Sequence, residues 1–240
     1  MELELKRGGR TARVETLGGE LVSYRDERGL EYIWGGDPAY WPGRNPLLFP
    51  IVGMLKEGKI RFDGREYAME RHGFARRREF TPAARGEDWV RLELRESAET
   101  LALYPYPFRL AVEQRLTDTG FSTAVTVANP GEGPLPFCLG AHTGFRCPLE
   151  AGERFEDYEL VFPERESCPT LLLRDGLLDR PAALPCLEDT DTLPLDYRWF
   201  DALDTLIFEG LRSRSVTLRS RKSGRGVRVS FDGFPMLAFW

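Results

Sequence analysis

The 240-residue sequence contains few of the residues that build metal sites, because it has only two histidines and four cysteines. The cysteines are Cys138, Cys147, Cys168 and Cys186, and their spacing contains no CxxC pair. We therefore expect no metal site of the usual zinc-ligand spacing. Reduced and mostly buried thiols are the favoured interpretation, and the sequence leaves a disulfide pair open.

Long apolar segments and blocks of basic residues are also missing. The first ten residues, MELELKRGGR, alternate charge and leucine, and no later segment approaches the roughly 20 apolar residues that cross a bilayer. The 38 acidic and 33 basic side chains are spread along the chain, with a formal net charge of −5. No basic footprint for a phosphate backbone stands out. We expect a cytoplasmic protein whose partners are neither nucleic acid nor membrane.

Helical periodicity is scarce, and only ESAETLALY offers a helical turn, with Ser97 as a candidate N-cap. Period-two alternation dominates instead, and turn signals such as Asp63-Gly64 separate the alternating segments. No composition shift divides the chain, so we predict one all-β, antiparallel domain over residues 1–240. The alternating segments are TARVETL, KIRFDGREYAM, WVRLELRES, FRLAVEQRL, FSTAVTVAN, SVTLRS and GVRVSF.

Two stretches lack a clear period and are long for loops of a compact domain. They are GGDPAYWPGRNPLLFP and PERESCPTLLLRDGLLDRPAALPCLEDTDTLPLD. Such stretches are either functional or wrapped over a sheet face. The first of them leads toward a histidine.

Both histidines have the same kind of neighbours. His72 and His142 are each followed within two residues by Gly-Phe and then by an arginine. Imidazole exchanges protons near neutral pH, glycine lets a ligand approach the backbone, and aromatic and guanidinium groups suit a polyhydroxylated ring. Neither a phosphate-binding glycine loop nor a GxSxG nucleophile elbow is present. This pattern favours a sugar site over the alternative of two unrelated loop histidines.

Three longer stretches are similar to the aldose 1-epimerase (mutarotase) family, in the branch close to the hexose-phosphate mutarotases. They are NPLLFPIVGMLKEGKIRFDGREYAMERHGFARRREF, LGAHTGFRCPL and FDALDTLIFEGLRSRSVTLRS. The resemblance runs from VETLGGELVSYRDERGLEYIWGGDPAYW to the final FDGFPMLAFW. It implies a large antiparallel β-sandwich of the galactose mutarotase-like type with little helix and an open sugar cleft. It also implies interconversion of the α and β anomers of a hexose or hexose phosphate by acid/base ring opening, without a cofactor.

The resemblance assigns roles to individual residues. His142 is the general acid at the ring oxygen, and His72 hydrogen-bonds the ring oxygen or an adjacent hydroxyl. Asp204 binds sugar hydroxyls, Arg76 reaches hydroxyls or a phosphate, and Phe145 forms an apolar wall of the cleft. Simpler interpretations stay open for the last three: a turn aspartate, a solvated run of arginines and core packing.

The sequence departs from the family pattern at two places. Met54 stands where the family commonly has a sugar-contacting arginine, and Arg44 or Arg76 are candidate substitutes. The family's general base is a glutamate beyond the strand that FDGFPMLAFW resembles, whereas this sequence ends at Trp240. We therefore expect a domain without that segment and assign no base. A non-catalytic carbohydrate-binding protein is the alternative, and the identity of the sugar and the oligomeric state stay open.

Overall fold

The computed structural model describes residues 1–180 and 182–240 in full, and the backbone alone of residue 181. Among the described residues 49% lie in strands and 8% in helices, so the prediction of an all-β protein with little helix is confirmed. The chain divides into two compact units, residues 1–146 and residues 147–240. The single domain predicted for residues 1–240 stays a prediction.

The first unit contains an antiparallel three-stranded sheet, β1-β2-β3, and an antiparallel four-stranded sheet in the order β10-β9-β8-β7. Two smaller antiparallel pairs, β4 with β11 and β5 with β6, complete its strands. The strands are β1 (Glu2–Arg7), β2 (Arg10–Glu15), β3 (Glu20–Arg25), β4 (Leu47–Leu48), β5 (Lys59–Phe62), β6 (Arg65–Ala68), β7 (Thr81–Arg85), β8 (Trp89–Arg95), β9 (Arg109–Leu116), β10 (Phe121–Ala128) and β11 (Gly140–Ala141).

Local signals in the sequence produce the expected elements in this unit. Asp63 and Gly64 turn β5 into β6 with φ angles of 47° and 77°, as a tight hairpin requires. The helix α1 (Ala98–Leu101) begins after Ser97, whose side chain accepts a hydrogen bond from the Thr100 N–H. Short 3₁₀ turns lie at Lys56–Gly58 and Ala75–Arg77.

An aromatic cluster forms part of the core of the first unit. Phe49 is fully buried, and its ring centroid lies 5.3–6.2 Å from those of three other buried aromatic residues, Phe74, Tyr104 and Phe108. Aromatic pairs at this separation add about 0.5–1.5 kcal/mol each to the free energy gained by burial. The first histidine motif, residues 72–76, contains Phe74, so the motif packs directly against this buried aromatic cluster.

The second unit contains a six-stranded antiparallel sheet in the order β16-β15-β12-β14-β17, with β13 paired to β12. A 3₁₀ turn lies at Phe155–Asp157. The strands are β12 (Tyr158–Arg174), β13 (Leu177–Pro194), β14 (Leu206–Glu209), β15 (Ser215–Ser220), β16 (Gly226–Ser230) and β17 (Met236–Phe239), and the helix is α2 (Tyr197–Leu203). Within the part of the chain that the structure describes, no helix is long and apolar enough to span a membrane.

The second irregular stretch of the sequence is in fact a long β-hairpin, so that prediction is wrong. Its strands β12 and β13 have 17 and 18 residues and turn at Asp175 and Gly176, with φ angles of 52° and 75°. The register between them shifts at four places. The buried side chains of β12 keep to even positions from Tyr158 to Thr170, but Glu166 and Thr170 are polar, so the alternation of apolar and polar residues that identifies a strand does not show there.

A buried carboxylate ties this hairpin to the loop between β14 and β15. Glu166 is 1% exposed, and its two oxygens accept hydrogen bonds from the backbone N–H groups of Arg212 at 3.0 Å and Ser213 at 2.7 Å. A buried carboxylate that receives two backbone donors is a fixed point of the fold, because losing it leaves those donors unpaired.

We predict that Glu166→Ala lowers the free energy of unfolding by about 2–4 kcal/mol, because two backbone N–H groups lose their acceptor. The measurement is urea-induced unfolding followed by circular dichroism. Glu164→Ala is the matched control, since this exposed glutamate lies two residues away on the same strand and should change stability by less than about 0.5 kcal/mol. Equal effects of the two substitutions would contradict the assignment.

Candidate functional site

Two reciprocal hydrogen bonds hold the first histidine. The His72 backbone N–H donates to the Gly53 carbonyl at 2.8 Å, and the Gly53 N–H donates to His72 Nδ1 at 3.0 Å. Because Nδ1 accepts a hydrogen bond, the proton of the neutral ring is on Nε2. The ring therefore presents an N–H donor at its free end.

The residue after this histidine must be glycine. Gly73 has a φ of +68°, and a Cβ atom added there would lie 2.2 Å from the carbonyl oxygen of Phe49. That oxygen accepts hydrogen bonds from the N–H groups of Phe74 at 3.0 Å and Ala75 at 3.2 Å. His72 itself has a φ of +66°, a conformation that costs a non-glycine residue about 1–3 kcal/mol. The turn at His72 and Gly73 therefore brings the backbone of the histidine motif into contact with the carbonyl of the buried Phe49.

The second histidine follows β11 and is seated by a tryptophan. The His142 N–H donates to the Pro46 carbonyl at 3.2 Å, and its ring meets the Trp41 ring edge-on at 5.1 Å between centroids. Trp41 fits only because its neighbours lack side chains: a Cβ atom at Gly43 or at Gly144 would lie 2.6 Å or 2.8 Å from the indole ring. Gly144 belongs to the second histidine motif, so this glycine makes room for the ring against which His142 packs.

The structure brings the two imidazoles together, with 5.6 Å between ring centroids and an interplanar angle of 41°. Burial, assisted by the neighbouring His142, lowers the pKa of His72 to about 4. The positive charges of Arg76 and Arg71 act in the same direction. Burial and Arg76 also lower the pKa of His142. At neutral pH His72 is therefore uncharged.

Arg76 lies beside this pair, on the 3₁₀ turn that follows the first histidine. Its Nη2 donates to the Arg71 carbonyl at 2.9 Å, while its buried Nε has no hydrogen-bond partner among the described residues. Burial lowers the pKa of Arg76. Arg71, which precedes the histidine, donates from Nη2 to the sulfur of Met54 at 2.9 Å.

Arg44 and Phe145 make contacts that favour structural roles. The Nε of Arg44 donates to the Gly35 carbonyl at 3.3 Å, and its Nη1 lies 3.9 Å from a Glu15 oxygen. Phe145 pairs with Ile33 in an isolated bridge and packs against the buried core. Their predicted contacts with sugar stay predictions.

Asp204 lies in the second unit, directly after α2. Its φ and ψ angles are 60° and −51°, and the Thr205 N–H donates across it to the Leu203 carbonyl at 2.6 Å. These values define the rare, strained form of γ-turn. The side chain is exposed, and one of its oxygens accepts a hydrogen bond from the Thr205 hydroxyl at 3.2 Å.

Two residues of the first-unit site were not among the predicted site residues. Gly53 fixes His72 from 19 positions away, and Trp41 supports His142 from the other irregular stretch. The lack of a clear period predicts a functional or sheet-covering role for that stretch, but it does not distinguish Trp41 from the adjacent Tyr40. No group of three or more histidine, cysteine, aspartate or glutamate residues in the described part of the chain could hold a metal ion.

Comparison with known structures defines the class of fold. A galactose mutarotase related enzyme from Lactobacillus acidophilus superposes with a TM-score of 0.94 at 27% identity, covering all of this chain and 80% of that one. A galactose mutarotase-like protein from Lactobacillus casei gives 0.89 at 28% identity, covering all of this chain and 82% of that one. The chain has the galactose mutarotase-like all-β fold, which confirms the predicted fold class.

Comparison of sequences defines the family. The aldose 1-epimerase family model matches residues 1–236. The plasmid-encoded protein LacX of Lactococcus lactis subsp. lactis is 44% identical over 248 residues, covering all of this chain and 83% of that protein. The chain therefore belongs to the aldose 1-epimerase family, and this membership supports a mutarotase-like function on a sugar substrate.

We predict that Gly73→Ala lowers the free energy of unfolding by more than about 2 kcal/mol, because the added methyl group collides with the Phe49 carbonyl at a left-handed φ. Gly120→Ala is the control in the same unit, since Gly120 has no atom within 4 Å of its Cβ position. It should change stability by less than about 1 kcal/mol. Urea midpoints measure both, and a mild effect at Gly73 would contradict the packing described above.

We also predict that nitrogen NMR of the imidazoles shows His72 as the Nε2–H tautomer at pH 7. Its titration midpoint should lie near pH 4 because burial lowers the pKa of His72 to about 4. Replacing the other histidine in His142→Gln assigns the two sets of signals. A midpoint near 6.5, the value of an exposed imidazole, would contradict the environment described for His72.

Proposed function

We propose that this protein is an aldose 1-epimerase that interconverts the α and β anomers of a hexose or hexose phosphate. The observation that carries the proposal is the pair of imidazoles 5.6 Å apart, one of which is fixed as a donor through Nε2. Two imidazoles at this separation can both reach the ring-oxygen side of one pyranose, one as a general acid and the other as a hydrogen-bond donor.

In the proposed mechanism His142 protonates the ring oxygen as the C1–O5 bond breaks, while a base removes the proton of the anomeric hydroxyl. Rotation about C1–C2 in the open aldehyde and closure of the ring then give the other anomer. Lowering the pKa of His142 by burial makes its protonated form a stronger acid than an exposed imidazolium. We assign the general base to no residue of the chain.

His72 acts as a binding group in this proposal. Its Nε2–H donates to the ring oxygen or to an adjacent hydroxyl, and the Gly53 N–H on Nδ1 keeps the ring in one orientation. With a pKa of about 4 the ring stays neutral at working pH. It can therefore hold the sugar while His142 alone changes its protonation state.

Arg76 adds a donor to the proposed sugar-binding residues of the first unit, and Asp204 of the second unit is a separate proposal taken from the family resemblance. The exposed carboxylate of Asp204 offers the acceptors that vicinal hydroxyls need, and its strained γ-turn is the kind of backbone that persists at functional positions. The guanidinium of Arg76, which donates from Nη2 to the Arg71 carbonyl, has further N–H groups that we propose donate to a sugar oxygen. The four unpaired thiols also fit a reducing compartment, so we propose the cytoplasm as the location.

The test is the anomerisation rate of glucose and galactose, measured by NMR exchange spectroscopy and corrected for the rate in buffer. We expect acceleration by the protein and a loss of about 10²–10⁴-fold in His142→Ala, because a general acid contributes that factor. Glu164→Ala serves as the control, since it lies outside the proposed site.

Two outcomes would contradict the proposal. Equal rates for His142→Ala and the parent protein would remove the assigned acid. Saturable binding of sugar without any acceleration would identify a carbohydrate-binding protein instead of an enzyme.

A further inference from the structure

The four-stranded sheet of the first unit, in the order β10-β9-β8-β7, has two edge strands, β10 and β7. An edge strand presents backbone N–H and C=O groups to which a further strand can add. Proteins commonly block such edges with charged side chains, with proline or with a bulge. The two edges of this sheet differ in whether they have these features.

The strand β7 is a blocked edge. Its five residues, TPAAR, include Pro82, which has no backbone N–H, and the charged Arg85. Its register with β8 shifts between Pro82 and Ala84, so the strand is irregular at its centre. Each of these features opposes the addition of another strand to this side of the sheet.

The strand β10 has none of these features. Its eight residues, FSTAVTVA, include no charged residue and no proline, and they pair with β9 one to one without a register shift. Half of them are valine or threonine, which favour extended structure. In the part of the chain that the structure describes, no strand other than β9 pairs with β10. The outer edge of β10 is therefore regular, uncharged and open.

The core of the first unit is also incompletely covered at this edge. Val125 and Val127 of β10 lie opposite the buried Val112 and Leu110 of β9, so all four side chains lie on the core side of the sheet. The two residues of β10 are only half-buried, although they pack against the core. A further strand beside β10 would remove their remaining apolar surface from water.

We propose that two copies of this protein associate through β10, antiparallel about a twofold axis, so that their four-stranded sheets become one sheet of eight strands. The strand that fits this edge is uncharged and has apolar side chains at alternate positions, and β10 of a second copy meets both requirements. Because β10 has no charge, no register of the two strands places like charges opposite each other.

The twofold arrangement also limits the size of the assembly. An axis perpendicular to the sheet keeps the core side of both copies on the same side, so Val125 and Val127 of each copy meet the core-facing residues of the other strand. The outer strands of the joined sheet are then the two copies of β7, whose proline, charge and bulge oppose further addition. The expected product is a closed dimer.

The test is sedimentation velocity of the full chain over a protein concentration from about 1 to 100 μM, where a self-association becomes visible as a rising dimer fraction. We expect the parent protein to dimerise. The double variant Ala124→Lys with Thr126→Lys alters two exposed side chains on the face opposite the valines. It should raise the dissociation constant of the dimer at least about 10-fold, because like charges then meet across the two strands.

A charge-reversed variant separates loss of association from misfolding. Ala124→Glu with Thr126→Glu should weaken the dimer as the lysine variant does, and circular dichroism should show a folded β protein in both. A one-to-one mixture of the lysine and glutamate variants should restore the dimer, because opposite charges then face each other across the two strands. Two misfolded chains would not regain association on mixing.

Ala83→Lys is the matched control, because Ala83 is an exposed alanine on the other edge strand, β7. It should leave the dissociation constant unchanged within about twofold. A monomeric parent protein, an association that Ala83→Lys weakens as much as the β10 lysines do, or charged variants that stay monomeric on mixing would each overturn the inference. Growth into assemblies larger than a dimer would overturn it as well.

Discussion

The reciprocal hydrogen bonds between Gly53 and His72 are the constraint on which the first-unit site depends. They fix the ring plane, choose the tautomer and bring Met54, with the guanidinium it contacts, next to the imidazole. They form only because both the histidine and Gly73 adopt left-handed backbone angles. The backbone that carries His72 is hydrogen-bonded to the carbonyl of the buried Phe49 through Phe74 and Ala75, so the position of the imidazole is fixed by the packed core.

Backbone strain lies at the six non-glycine residues with positive φ angles among those described. Asp63 and Asp175 have such angles in hairpin turns, whereas His72 and Asp204 are residues proposed to contact the sugar. A strain of about 1–3 kcal/mol at each is retained only where surrounding contacts determine the backbone. At His72 those contacts are the Gly53 hydrogen bonds and the close approach to Phe49. The strain at His72 thus holds a proposed functional group, whereas the strain at Asp63 and Asp175 reverses the chain in a hairpin.

The sequence predicted the elements whose signals are local. Alternation located the strands on either side of Asp63-Gly64, and Ser97 located α1, because turn and cap chemistry act over a few residues. The β12–β13 hairpin does not show in the sequence, because polar residues such as Glu166 and Thr170 occupy buried positions of β12. The shared Gly-Phe and arginine pattern singled out both histidines. The supports of the site, in contrast, are contacts over long sequence distances, such as that between Trp41 and His142, which periodicity does not report.

The depressed basicity of His72 has a consequence for the conditions in which the protein works. A fall of about two pH units below neutrality leaves this ring uncharged, with the same donor exposed and the Gly53 N–H still accepted. In the proposed mechanism, hydrogen bonding of the sugar by His72 is therefore insensitive to mild acidification of the surroundings. In that mechanism, any loss of rate at mildly acidic pH arises from His142 and the general base, and not from protonation of His72.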